Sequence, residues 1–283
     1  MFFVLRTGRK TALACLLALG FSSAAWSTPI LGAAQSFAVL GGSTVTNTGP
    51  STVNGNVGSA PGTALTGFGA AALFGTVNPG NADATRAHDD AIAAGRYLAS
   101  LAFTRDLSGL DLGGMTLGAG VYRIASSAQL TGTLVLDAQN MADALFVFQI
   151  GTSLTSAAAS SVRVVNASAD TGVFFGVGTS VVLGTGSVFA GNIIASDSIT
   201  LGSAAAVLCG RALALNGAVT LDTNQVSNDC RAGGALGSTH TDYASQGFAG
   251  IPAAANDVPE PASALLLALG LAALAYARRS TPV

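Results

Sequence analysis

The sequence predicts a mostly β protein, a solenoid of short parallel strands flanked by one long α-helix. Three observations predict it. The first is a phrase that keeps returning: Ser153-Leu154-Thr155, Ser180-Val181-Val182-Leu183, Ser198-Ile199-Thr200-Leu201 and Ala218-Val219-Thr220-Leu221. Each copy alternates small or polar residues with aliphatic ones, the period of a half-buried strand. The copies begin at 153, 180, 198 and 218, so 27, 18 and 20 residues apart, the length of one solenoid coil. The second is composition. With 36 Gly and only 9% charged residues in 283, the chain suits repeated tight turns better than a core of large side chains. The third is that a single segment, about 81–103, reads as a helix.

In chain order, residues 1–27 are a secretory signal peptide. Arg6, Arg9 and Lys10 precede an apolar run over 11–21, and small residues offer cleavage after Ala25 or Ser27. Cys15 leaves with it. Cys209 and Cys230 remain, 21 positions apart in a chain bound for an oxidising place. They form either a disulfide or two free thiols, one buried and one facing solvent. Residues 31–81 are turn-rich with short strands at Phe37-Ala38-Val39-Leu40, Ser43-Thr44-Val45-Thr46-Asn47, Val53-Asn54-Gly55-Asn56-Val57 and Ala64-Leu65-Thr66.

The helix over 81–103 can be capped by Asn81 or Asp83. Ala84, Ala87/His88, Ala91, Ala94/Gly95, Leu98 and Leu101 or Ala102 recur at 3–4 spacing, a narrow stripe of small residues suited to a flat wall. Arg86, Asp89, Asp90 and Arg96 lie opposite. His88 beside Asp89 and Asp90 reads as solvated helix surface, because successive residues do not share a helix face. Strands resume at residue 110. The stretch Ala144-Leu145-Phe146-Val147-Phe148-Gln149-Ile150 is the most hydrophobic, and Val173-Phe174-Phe175-Gly176-Val177 is its partner in a later coil. Residues 231–257 form a Gly/Ala-rich linker too sparse in aliphatics to fold alone.

If the aliphatic positions of the recurring phrase point inward, the alternate set shares one outer face. That set is Ser153, Thr155, Ser180, Val182, Ser198, Thr200, Ala218 and Thr220, with Thr66 and Gln129 at equivalent positions of other strands. None is charged. The carboxylates Asp137, Asp143, Asp170, Asp197 and Asp222 are scattered singly, without the facing pair or metal-ligand cluster that a β-helix hydrolase or lyase needs. We therefore expect no enzyme, no cofactor and no metal. A net charge of −2 gives no reason to expect nucleic acid as a partner.

Two resemblances sharpen these expectations. Ser36-Phe37-Ala38-Val39-Leu40-Gly41-Gly42-Ser43-Thr44-Val45-Thr46-Asn47-Thr48-Gly49 resembles the opening of the β-solenoid ice-binding proteins of bacteria and fungi. The likeness continues through Asn54-Gly55-Asn56-Val57-Gly58, Gly118-Ala119-Gly120-Val121-Tyr122, Val147-Phe148-Gln149-Ile150-Gly151 and Asn216-Gly217-Ala218-Val219-Thr220-Leu221-Asp222, covering 31–230. It implies a three-sided β-helix with discontinuous coil order, and a flat ice-binding face at Thr66, Gln129, Thr155, Val182, Thr200 and Thr220, with ice or ordered water as the partner. A Thr-Gly/Ala-x-Thr/Asn loop found in part of the family corresponds here to Ser203-Ala204-Ala205-Ala206, which lacks both hydroxylated ends.

At the other end, Val258-Pro259-Glu260-Pro261, an apolar helix over 262–277 and Arg278-Arg279 resemble a PEP-CTERM sorting signal. This resemblance implies transient residence in the inner membrane of a Gram-negative bacterium, cleavage by an exosortase, and delivery to the cell surface or beyond. A non-catalytic matrix or adhesion protein on the same fold is the alternative function.

Overall fold

The computed structural model describes residues 30–229, apart from 142–143 and 168–170. The signal peptide, the linker and the sorting segment lie outside the described residues. Three all-parallel sheets of nine, seven and eight strands form the sides of a solenoid. Alternate aliphatic residues enter its interior, as the strand patterns require. Leu154, Val181, Ile199 and Val219 stack in register and are fully buried.

The order of coils is not the order of the chain. The last coil, Ala212–Ala214, Val219–Asp222 and Gln225–Ser227, pairs on all three sides with the first, Phe37–Gly41, Thr44–Thr48 and Thr52–Asn54. The second coil, Asn56–Ser59, Ala64–Thr66 and Ala72–Phe74, stacks beyond the first. Val77–Pro79 then ends the nine-stranded sheet, whose opposite edge is Arg105–Asp106. The chain must therefore travel the length of the solenoid between residues 79 and 105, and the helix Ala82–Ser100 carries it there. Nineteen helical residues rise about 28 Å, close to six strand spacings of about 4.8 Å.

Asn81 caps the helix, accepting a hydrogen bond from the Ala84 N–H at 2.9 Å. Its buried stripe is Ala84, Ala87, Ala91, Ala94 and Leu98, packed on Phe37, Leu40, Val121, Val147, Phe174, Ile194 and Leu213 of the nine-stranded sheet. The helix stops at Ser100 rather than 103, because the Gln149 side-chain amide donates to the carbonyls of both Leu98 and Leu101 at 2.8 Å. Two polar residues of this helix are not surface groups. The His88 ring nitrogen Nε2 lies 2.6 Å from the Leu215 carbonyl, and the Asp90 carboxylate accepts from the Ala33 N–H at 2.7 Å. Both anchor the helix to segments distant in sequence, which corrects the solvated reading of this flank.

Inside the solenoid, Tyr122, Phe148 and Phe175 stack at centroid distances of 5.3 and 4.7 Å, with Phe189 tilted against Phe175 at 5.8 Å. The fully buried Arg211 ties the first described turn to the later coils. Its guanidinium donates to the Gln35 carbonyl and to Asn192 Oδ1. Cys209, next to it, is buried and disulfide-bonded; Cys230 lies outside the described residues. Cys209→Ser is expected to lower stability by about 3 kcal/mol, the value for a closed loop of roughly 20 residues. Thermal melts of the two proteins, with and without reductant, check this.

Candidate functional site

Among the described residues, the helix and the short turn Gly32–Ser36 pack on the nine-stranded sheet, and no helix covers the outer side of the seven-stranded one. Its strand order is Ala128–Leu130, Leu154–Ser156, Val181–Leu183, Ile199–Leu201, Val219–Asp222, Thr44–Thr48 and Ala64–Thr66. Register places one outward residue per strand in an unbroken column: Gln129, Thr155, Val182, Thr200, Thr220, Thr46 and Thr66. The six column residues expected from the sequence all fall in it. Thr46 was missed, because its strand joins the column only through the pairing of the first coil with the last.

Neighbours along this column are about 4.8 Å apart, the spacing of paired strands. Thr is β-branched and held in few χ1 states, so each methyl and hydroxyl is positioned before any contact. The hydroxyls of Thr46, Thr66, Thr155, Thr200 and Thr220 make no hydrogen bond to another described residue. Val182, 45% exposed, continues the row of methyls without a hydroxyl. The nearest charges are at the margins: Asp111 bridges to Gln129 at one end, and Asp222 pairs with Thr48 on the flank. Asp111 itself is tied into a turn. Burial pushes its carboxyl up, but the N–H groups of Gly113 and Thr131 outweigh this and hold it below the usual range.

The second row, Ser153, Ser180, Ser198 and Ala218, runs alongside but is half-buried. Two of its three hydroxyls are turned to neighbouring backbone: Ser198 Oγ accepts from the Ala218 N–H at 3.2 Å, and Ser180 Oγ from the Ser198 N–H at 3.4 Å. These serines brace the face more than they present it. Thr44, next in this row, donates its hydroxyl to the Ala64 carbonyl at 2.9 Å. The stretch 203–206 lies at the corner leading to the eight-stranded sheet, with Ser203 and Ala204 exposed and Ala205 and Ala206 buried. Among the described residues no group of three or more His, Cys, Asp or Glu comes together.

The fold and face define a class of protein: a three-sided parallel β-solenoid with a helix packed on one side and an uncharged column of mostly threonine side chains on another. A family model described as Ice-binding-like matches residues 39–227, and the chain belongs to that family. It is 50% identical over 232 residues to an ice-binding protein of Nostoc sp. (strain HG1), covering 80% of this chain and 86% of that one. The crystal structure of an ice-binding protein from an Antarctic biological consortium superposes with a TM-score of 0.67 at 37% identity, over 71% of this chain and 92% of that one. That of the ascomycete Antarctomyces psychrotrophicus gives 0.67 at 38%, over 70% and 96%. A second family model, the PEP-CTERM protein-sorting motif, matches residues 257–280.

Proposed function

We propose that this chain is an exported, non-catalytic ice-binding protein that meets ice through the column from Gln129 to Thr66, braced by the flanking row Ser153, Ser180, Ser198 and Ala218. The single observation carrying this reading is the column itself. Seven uncharged side chains stand in continuous register on a sheet that no described helix covers, in a chain of the ice-binding-like family. Methyl groups leave adjacent water weakly held, while hydroxyls and backbone pin it at fixed points. A layer so ordered merges with a crystal lattice. Each contact is weak, and affinity comes from many made with little loss of side-chain freedom. Recrystallisation inhibition by residues 28–257 tests the function; no effect on ice would favour a matrix or adhesion role on the same fold.

Export follows the sorting motif. Pro259, Glu260 and Pro261 would present the cleavage site to an exosortase, while the apolar segment and Arg278-Arg279 hold the chain transiently in the inner membrane of a Gram-negative host. The protein recovered outside the cell is expected to lack about 27 N-terminal residues and the segment after about 261. Intact-mass measurement checks both ends, and recovery of full-length chain from the membrane would contradict the processing.

A further inference from the structure

The two ends of the solenoid are built differently. At the Arg105–Asp106 end, Leu107 and Leu112 are fully buried and close the core. The rim there carries Arg105, Asp106 and Asp111, with Arg123 3.8 Å from Asp106. Charge on an edge strand prevents it from pairing with another chain. The opposite end, formed by Ala64–Thr66, Ala72–Phe74 and Val77–Pro79, carries no charge and is guarded only by Pro79 and by the shortness of its strands. The sequence holds no charged residue from Thr11 to Ala82. Leu65, Phe68 and Leu73 cover the core there only in part, while Phe74 and Val77 are 65% and 47% exposed. All three strands are terminal in their sheets, so each leaves its outward backbone groups without a strand partner, Pro79 contributing a carbonyl alone.

We propose that this end is an interface, and that its occupant is a second copy of this chain, joined head to head. Three open edges on three sides of one coil can be satisfied together only by another three-sided coil. The charged far end is unsuited to that role, so the matching surface is the same end of another molecule. A two-fold axis through the threonine face sets Ala64–Thr66 against its own copy, and Ala72–Phe74 against the partner's Val77–Pro79. Facing strands then run antiparallel and can bond regularly. The exposed Phe74 and Val77 become cross-strand neighbours.

The end coil offers about twenty residues, close to the number a standard interface uses on each side. The nearest charges, Asp83 and Arg86, are engaged with each other at 3.4 Å. The chain's own linker is a poorer occupant. It follows the coil of Gln225–Ser227, two coils in from that edge, where the Asn228 N–H is held by the Asn54 carbonyl of the coil between, and its Gly/Ala-rich sequence holds no three stretches of alternating aliphatic residues. This symmetry closes after two copies rather than growing a fibre. It also sets the two threonine columns end to end on one side, a consequence that rests on the proposed ice-binding reading.

Sedimentation equilibrium of residues 28–257, without ice, tests the interface independently of that reading. We expect twice the mass of one chain, and a single-chain mass for the double variant Phe74→Lys/Val77→Lys with its melting transition retained. Both positions are exposed, so the variant should fold. A parent that stays monomeric throughout a concentration series, or a double variant that stays dimeric, would overturn the proposal. So would a chain ending at residue 229 that dimerises while 28–257 does not, since the linker would then be the occupant.

Discussion

Thr200→Tyr is expected to abolish most ice recrystallisation inhibition while leaving the fold intact. Thr200 sits mid-column between Val182 and Thr220, with its side chain exposed. A phenol ring there stands several ångströms above the methyls and hydroxyls on either side. It holds the flat face away from a crystal plane over more than the one position. Because the site is exposed, the stability cost should stay within about 0.5 kcal/mol. The control is Thr85→Tyr, exposed on the helix along a different side of the solenoid, which should leave activity unchanged. Equal activity in Thr200→Tyr and its parent, with matching melts, would move the site off this face.

Phe148→Ala is expected to have the largest effect on stability, about 3–5 kcal/mol. Its ring is fully buried and stacked between Tyr122 and Phe175. Removing it opens a cavity in a coil whose parallel strands are locked on both sides, through Gly120–Ile124 and Gly172–Val177, and cannot collapse independently. For a body of about 200 residues, such a loss corresponds to a fall in melting temperature of roughly 10 °C. A fall of only a degree or two would mean that the stacked rings can repack. Ice activity measured well below the transition should remain, because no residue of the threonine column touches this site.

Much of this architecture is legible in local pattern. The aliphatic positions of the recurring phrase point inward and the helix buries the alanine stripe, because periods of 2.0 and 3.6 are imposed by covalent geometry. What escaped was non-local. Thr46 belongs to the face because residues 44–48 pair with 219–222, and nothing near either segment encodes that closure. His88 looked solvated from its neighbours along the helix, yet a carbonyl more than a hundred residues later reaches it. Ser180 and Ser198 were legible as outward, but not as bonded to the backbone of the next coil. That distinction depends on the depth of each side chain at a turn, which alternation alone does not reveal.

The most direct measurement is therefore on the residue that only the discontinuous stack brings to the face. Thr46→Tyr should lose recrystallisation inhibition to the same degree as Thr200→Tyr, with an unchanged melt, although the two positions lie more than 150 residues apart in the chain. Loss in both variants would support a single surface built from the first and last coils together. Full activity in Thr46→Tyr beside an inactive Thr200→Tyr would contradict it, and confine ice contact to the later coils.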